Sequence, residues 1–411
     1  MRIAEAFDRL AGPETDVEFI AYDGSKGGRI GSDVRLEVKS PRAIAALLGA
    51  PGQLGVARAY VAGDLDVSGD LYTAFDRLAT AAVRDISWAE KARMARHFAP
   101  FFLQKPPPPP EEARVNGGKH SRRRDAQVIS HHYDVSNRFY EWVLGPTMAY
   151  TCAVFPGPDA TLEQAQEEKF DLVCRKLGLE AGMRVLDVGC GWGGFALHAA
   201  ANYGVEVIAV TLSEQQARWG QRAVVEAGLE GLVEIRHSDY RAVPETGFDR
   251  IASIGLTEHI GKANYADYFG FLRSRLVDGG RLLNHCITRT DPNERTLTRN
   301  GFINRYVFPD GELVHVGTLI DAMEHQHLEV QHEENLRVHY AMTLRLWLEN
   351  LERHWDEAVQ EVGLRKARVW RLYLAASQWG FTRNRIQLHQ VLLTRTSAAG
   401  DSGMPLRLLL G

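Results

Sequence analysis

The stretch Val185-Leu-Asp-Val-Gly-Cys-Gly-Trp-Gly-Gly194 decides the fold. A short apolar run ends in an acid, turns through glycine at alternate positions and gives way at Phe195 to helical periodicity. Gly189, Gly191 and Gly193 let the chain turn tightly and bring backbone N–H groups close to a ligand. Outward from this turn, Val205 to Val210, Val233 to Ile235, Phe248 to Ile254 and Arg281 to His285 read as further short buried strands. Longer helical segments such as Glu214 to Ala227 separate them. That alternation predicts the α/β class, with a Rossmann-like, mostly parallel sheet.

The glycine pattern is D-x-G-x-G-x-G from Asp187, not the phosphate-binding G-x-G-x-x-G. A dinucleotide site also wants an acid near the end of the second strand to take the ribose hydroxyls. Here that strand ends in Thr211-Leu-Ser-Glu-Gln-Gln216, a neutral cap, and no Walker lysine follows the glycine turn. The cofactor therefore reads as S-adenosylmethionine, whose amino-acid end is zwitterionic and carries no phosphate.

With 411 residues the chain exceeds the usual size of one core, so two domains are expected. The break falls where Lys105 is followed by five prolines, Pro106 to Pro110, which favour a stiff polyproline spacer. Residues 1–104 mix strand-like runs (Val17 to Tyr22, Val34 to Val38) with helical stretches such as Ala43 to Leu48, a small α+β domain. Residues 105–130 form a Pro-rich and basic linker, in which Lys105 to Arg124 carries six basic residues against Glu111 and Glu112. The basic run Arg122 to Arg124 is either a solvated connector or a contact for anionic lipid headgroups. The remainder, 131–411, carries the glycine turn. Late in it, Leu344, Trp347, Leu348, Leu351, Trp355 and Val359 keep helical spacing, as do Val369, Leu372, Tyr373 and Ala376; they read as core-facing stripes of two packed helices.

Composition excludes several function classes. An apolar share of 45% rules out disorder as the main state, and a net charge of −4 argues against a nucleic-acid binder. Cys152, Cys174, Cys190 and Cys286 form no CxxC pair, which suggests neither a zinc site nor a disulfide framework and fits reducing cytoplasm. No metal is expected. No window reaches the roughly 18 uninterrupted apolar residues of a membrane span, so lipid would be met at a surface.

Six motifs lie in one order: His131-His-Tyr-Asp134, Pro146-Thr-Met-Ala-Tyr-Thr-Cys152, the LDVGCGWGG turn, Thr257-Glu-His-Ile-Gly261, Leu283-Asn-His-Cys-Ile287 and Asn304-Arg-Tyr-Val-Phe-Pro-Asp-Gly311. Together with Leu54-Gly-Val-Ala-Arg-Ala-Tyr-Val-Ala-Gly-Asp-Leu-Asp66, they resemble the cyclopropane fatty acid synthase family over essentially the whole chain. LTEHIG, LNHCITR and RYVFPDGEL resemble more closely an actinobacterial branch linked to mid-chain methyl-branched (10-methyl, 10-methylene) fatty acids.

The resemblance implies a Rossmann-like class I methyltransferase domain with helical insertions forming the acyl-chain site, and a smaller N-terminal α+β accessory domain in contact with lipid. It implies that Tyr150 and Thr151 close over the methionine part of S-adenosylmethionine. Asp187, Gly189, Gly191 and Gly193 would line its underside, Thr211 and Gln216 hold the ribose, and Asp239 and Tyr240 contact the adenine. It further implies a bicarbonate ion as base, held by Cys152, Glu258, His285, Ile287 through its backbone, and Tyr306, with Tyr133 as a further catalytic residue. Ser377 stands where many members carry a cysteine once suspected as a nucleophile, which weakens a cysteine-nucleophile mechanism here.

A cis alkene bears no proton that must leave before it attacks a sulfonium methyl, so alignment is the first task and a base is needed only after the cation forms. The expected product is a cyclopropane or a mid-chain methylene chain in a phospholipid, the latter then reduced by a separate flavoprotein. Expected partners are an unsaturated phospholipid, the inner membrane face met peripherally, that flavoprotein reductase and a second copy in a homo-oligomer, with no nucleic acid. Taken singly, Cys152 reads as a small buried hydrophobe, His285 as a satisfied core histidine, and Tyr306 and Tyr133 as packing aromatics. Rival readings are a methyltransferase for a small non-lipid acceptor and a catalytically silent lipid-binding subunit.

Overall fold

The computed structural model of the protein describes residues 1–50, 52–80, 87–102, 106–113, 124, 136–292 and 301–408. Two compact units emerge, each built from more than one segment. The first holds Met1–Arg114, Arg299–Val307 and His354–Trp379; the second holds Val115–Thr298, Phe308–Arg353 and Gly380–Gly411.

In the first unit, β1 (Glu18–Ala21), β2 (Lys26–Gly28), β3 (Arg35–Val38) and β4 (Leu65–Ser68) form a sheet in the order β2-β1-β3-β4. The helix Ile3–Ala11 buries Ile3, Ala4 and Ala6 and stacks Phe7 on Phe19 at 4.3 Å. This is the small α+β body that the sequence predicts, with an addition from the far end of the chain. The apolar stripe expected to run on from Leu344 breaks at His354, after which Trp355 and Val359 are only half-buried. Beyond the break, Ala367, Val369, Trp370 and Tyr373 are buried, and polar contacts fix the segment to this unit. Arg368 donates to the Tyr60 carbonyl at 2.8 Å and pairs with Asp66 at 3.2 Å, and Trp379 donates to Asp76 at 3.0 Å.

Part of the expected spacer is packed rather than solvated. Pro109 is buried, and the buried Glu112 takes two hydrogen bonds from Arg58, at 2.6 and 3.1 Å. A carboxylate leaves water at this cost only when such a fork satisfies it.

The second unit is a seven-stranded sheet, β10-β11-β9-β8-β5-β6-β7: β5 (Arg184–Val188), β6 (Glu206–Thr211), β7 (Val233–His237), β8 (Phe248–Ile254), β9 (Leu276–Arg289), β10 (Glu329–Asn335) and β11 (Ile386–Thr394). From β9 to β7 all neighbours are parallel, whereas β11 runs antiparallel to both β9 and β10. Alternate residues of the central strands serve different cores. Val185, Val207 and Ala209 pack with Val173, Leu177, Phe195 and Ala199, while Leu186, Val188 and Val210 pack with Tyr268, Phe269, Leu272 and Met323. Both faces are covered, which is why these strands read as continuous apolar runs.

The helix Leu162–Leu177 is sharply bounded. Thr161 and Gln164 make a reciprocal capping box, and Gly178 ends it in the left-handed conformation. Among the described residues no helix is long and apolar enough to cross a membrane.

Candidate active site

The strand order reverses between β5 and β8, and there a cavity opens beyond the carboxyl ends of the strands, where open α/β sheets take ligands. Tyr150, Thr151, Asp187, Gly189, Gly191, Thr211, Gln216 and Tyr240 all line it. The glycine turn is locked to the sheet, because Gly189 and Cys190 both donate to the Val210 carbonyl, at 2.9 and 3.0 Å. Gly191 has φ +56°, and a Cβ there would meet nothing within 4 Å, so the position faces open cavity. Gly193 does not line the cavity. At φ +86° it opens the next helix, and a Cβ there would lie 2.6 Å from Ile235 Cδ1, so its glycine serves packing. Thr211 donates to Gln216 Oε1 at 2.7 Å, which ties the two expected ribose-holding side chains together.

Asp239 also lies outside the lining. Its carboxylate accepts from the Arg241 amide at 2.9 Å and the Arg241 guanidinium at 2.8 and 2.5 Å, while Ser238, Tyr240 and Arg241 face the cavity.

Asp187 is 2% exposed, and its Oδ2 is buried without a hydrogen-bond partner among the described residues. Burial pushes its carboxyl up to about 7, opposed by the attraction of Lys169. Lys169 is a site residue that the motifs did not reveal. It is 1% exposed, lines the cavity, donates to Thr151 Oγ1 at 3.0 Å and sits 3.8 Å above the Phe170 ring. Burial draws its ammonium down to about 7, with Cys152 and Asp187 pulling the other way. One turn earlier, Gln166 donates to the carbonyls of Thr151 and Ala149, at 3.0 and 3.4 Å. The helix Leu162–Leu177 thus grips the segment that carries Tyr150 and Thr151. The signal was in the sequence: Gln166, Lys169 and Lys176 occupy core positions among Leu162, Ala165, Phe170, Leu172, Val173, Cys174 and Leu177.

Four of the residues expected to hold the base fall in the second unit. Glu258, in the helix Thr257–Ile260 after β8, accepts from the Ile287 N–H at 2.6 Å through Oε1, while Oε2 is buried without a partner among the described residues. Burial lifts its carboxyl to about 7 against the lowering effect of that amide. His285 lies two residues before Ile287 on the same face of β9. It is 1% exposed, its Nδ1 is 3.2 Å from Gln390 Nε2, and its Nε2 is buried without a partner among the described residues. Burial holds this imidazole well below its ordinary range, hence neutral.

Cys152 is fully buried, and its Sγ donates to the Ala153 carbonyl at 3.1 Å and approaches the Leu336 carbonyl at 3.7 Å. The Leu336 amide in turn donates to Leu388, the cross-strand partner of Ile287. Burial pushes the thiol far up, so it is no thiolate nucleophile.

Tyr306 belongs to the first unit, where its hydroxyl donates to Glu112 Oε1 at 3.2 Å beside Arg58. Tyr133 lies outside the described residues, as do Arg122 and Arg123 of the basic run. The third member of that run, Arg124, is paired with Asp310, at 2.5 and 2.9 Å, and not held out to solvent.

Comparison with known proteins places this geometry. Residues 120–391 match the profile of the mycolic acid cyclopropane synthetase family. A protein of Mycobacterium tuberculosis named "probable fatty acid methyltransferase" is 54% identical over 402 residues, 95% of this chain and 94% of that one. The cyclopropane-fatty-acyl-phospholipid synthase of Escherichia coli is 36% identical over 71% of this chain and 75% of its own. Among solved structures, the cyclopropane synthase MmaA2 of Mycobacterium tuberculosis superposes with a TM-score of 0.63 at 33% identity, covering 65% of this chain and 97% of that one. Mycolic acid cyclopropane synthase CmaA1, complexed with SAH and CTAB, gives 0.62 at 32% identity, with the same coverage. With its glycine turn at the switch point and this match across most of its length, the chain belongs to the mycolic acid cyclopropane synthetase family of S-adenosylmethionine-dependent methyltransferases.

Proposed function

We propose that the protein transfers the methyl group of S-adenosylmethionine to the cis double bond of an unsaturated phospholipid acyl chain, with bicarbonate held as proton acceptor, giving a cyclopropane or a mid-chain methylene chain. The observation that carries this reading is the pair of buried polar atoms without partners, Glu258 Oε2 and His285 Nε2, at one end of the sheet. An unpaired buried polar group costs about 1–3 kcal/mol, and a bound ligand offsets that cost. With Glu258 raised to about 7 and His285 neutral, both groups can present a hydrogen to a small oxyanion at neutral pH.

The cofactor fits by a similar argument. Asp187 Oδ2 is an unmatched acceptor suited to an ammonium, and the open space over Gly191 admits a ligand against the backbone. When bound, S-adenosylmethionine supplies an electrophilic methyl and bicarbonate an acceptor for the proton released.

The chain's own residues align, enclose and hold. Lys169 and Gln166 fix the segment bearing Tyr150 and Thr151. Phe170, Trp192, Ile254, Leu256 and Ile260 give the cavity apolar walls that exclude water from a cation. Relatives named for fatty acids and for fatty acyl phospholipids, and one complexed with CTAB, a long-chain surfactant, support a lipid acceptor over a small polar one. An acyl chain is then reached by docking at the cytoplasmic membrane surface, with the first unit as the accessory lipid-contacting part. A methylene product would pass to a flavoprotein reductase.

The test is incubation with labelled S-adenosylmethionine and unsaturated phospholipid vesicles, with and without rigorous bicarbonate removal, and mass spectrometry of the acyl products. A product one methylene heavier, formed more slowly without bicarbonate, is expected. Label entering no acyl chain would sink the lipid assignment, and a rate indifferent to bicarbonate would sink the base.

A further inference from the structure

Behind His285 lies a chain of polar groups that the reaction outlined above does not use. Glu334 on β10, Gln390 on β11 and His285 on β9 are successive cross-strand partners, so their side chains share one face of the sheet. Lys176 reaches that row from the last turn of the helix Leu162–Leu177. Its Nζ, wholly buried, donates to Gln390 Oε1 at 2.7 Å and pairs with Glu334 Oε2 at 2.5 Å. Gln390, also wholly buried, places its Nε2 3.2 Å from His285 Nδ1.

The chemistry of these groups fixes every hydrogen in the row. An ammonium only donates, so the oxygen of the Gln390 amide must face Lys176 and its NH2 must face the histidine. An NH2 only donates, so His285 Nδ1 must be the lone-pair nitrogen. The proton of the neutral ring is then on Nε2, the atom left without a partner. We propose that Lys176 and Gln390 are positioning residues that lock His285 in the Nε2–H tautomer, making it an obligatory hydrogen-bond donor to the ligand at the reacting site and excluding it as the base. This rests on the reading that His285 faces the proton acceptor. It deepens that reading, since a locked donor recognises an oxyanion and rejects a cation or another donor.

Gln390→Glu is the discriminating variant. A carboxylate keeps the size and the Lys176 contact, but it can only accept, so it draws the ring proton to Nδ1 and turns Nε2 into a lone pair. The tautomer is read by NMR of the full chain carrying ¹⁵N-histidine, with the His285 signals identified by their loss in His285→Asn. Wild type should show Nε2–H and Gln390→Glu should show Nδ1–H. In the same variant kcat should fall roughly ten- to a hundredfold, with S-adenosylmethionine affinity held within about twofold.

Lys176→Met provides a second route if Gln390→Glu folds poorly. It frees the Gln390 amide to rotate and should give mixed tautomers with a smaller loss of kcat, and Glu334, partly exposed, can turn to water. A wild-type ring protonated on Nδ1 would overturn the proposal, as would a Gln390→Glu protein with the wild-type tautomer or wild-type kcat. If tautomer and kcat change as expected while bicarbonate removal leaves the wild-type rate untouched, the locked donor is supported and only the identity of the anion falls.

Discussion

Glu258→Gln should make the protein more stable while making it a poorer enzyme, and the size of the gain should depend on pH. Glu258 is buried, its Oε1 satisfied by the Ile287 amide and its Oε2 by none of the described residues. Its carboxyl stands at about 7 in the folded chain against an ordinary 4.5. At about 1.4 kcal/mol per unit, keeping it ionised inside the fold costs about 3 kcal/mol. A raised folded value means that the folded state binds more protons than the unfolded one between these limits. Stability is therefore fully present below 4.5 and lost as pH rises through about 7. Glutamine resembles the protonated acid, since its oxygen can accept from Ile287 and it carries no charge. The variant's advantage should grow from under about 1 kcal/mol near pH 5 to about 3 kcal/mol near pH 9. Asp187 and Lys169 titrate in both proteins and cancel in the comparison. Denaturant titrations of ligand-free wild type and variant across that range, following the transition of the second unit, measure the difference. A variant no more stable than wild type near pH 9, or a difference that ignores pH, would refute the reasoning that Glu258 is a buried charge without compensation.

Two further outcomes concern the cofactor. Gly191→Val puts a branched side chain at φ +56° into open cavity, so S-adenosylmethionine affinity should fall beyond tenfold with the far-UV spectrum unchanged. Undiminished calorimetric affinity in the folded variant would move the cofactor elsewhere. Lys169→Met removes the donor to Thr151 and the cation beside Asp187. Affinity should weaken roughly tenfold or more, and the pH midpoint for cofactor binding should rise as the Asp187 carboxyl loses that attraction, whereas an unmoved midpoint would separate the two groups.

The sheet was legible in the chain because it is buried on both faces: strands such as Val205 to Val210 read as continuous apolar runs, and the glycine turn and helix that follow Val188 set their order. Strand ends were less legible. β9 runs from Leu276 to Arg289, far beyond the expected Arg281 to His285, because pairing with β8 on one side and β11 on the other sustains polar positions such as Asn284 and Thr288. The break at His354 was hidden because an apolar stripe at helical spacing continues through it, and only tertiary contacts, such as Arg368 with Asp66, decide which body the later helices join. None of Cys152, Glu258, His285, Ile287 and Tyr306, expected at the base, lines the cavity; of the residues expected at the cofactor, Tyr150, Thr151, Asp187, Gly189, Gly191, Thr211, Gln216 and Tyr240 did line it. Gly193 and Asp239 did not, since spacing cannot tell a glycine needed for a ligand from one needed by Ile235, nor foresee that Arg241 would claim the carboxylate two residues before it.

Lys169 and Lys176 escaped notice for one reason: a lysine inside an apolar stripe reads as a long side chain reaching for water, yet both are buried, and both are spent on orienting something else. Lys169 holds the hydroxyl of Thr151 beside the cofactor cavity, and Lys176 holds the amide that faces His285. Lys169 thus lines the cavity and also fixes a neighbouring hydroxyl, whereas Lys176 stands one residue behind His285. Burying ammonium groups weakens a fold unless partners are excellent. Lys176 has such partners in Glu334 and Gln390, whereas among the described residues Lys169 has a hydroxyl and an aromatic face close to it, with Cys152 and Asp187 pulling on its charge. That asymmetry follows if the partner Asp187 and Lys169 lack is the zwitterionic end of the cofactor, so that ligand binding completes a charge arrangement the folded chain leaves open. Cofactor binding should then raise stability at neutral pH by more in wild type than in Lys169→Met when both are held at the same free concentration of S-adenosylmethionine. Equal gains, measured as the shift in unfolding midpoint on adding S-adenosylmethionine, would show that the arrangement is already closed without it.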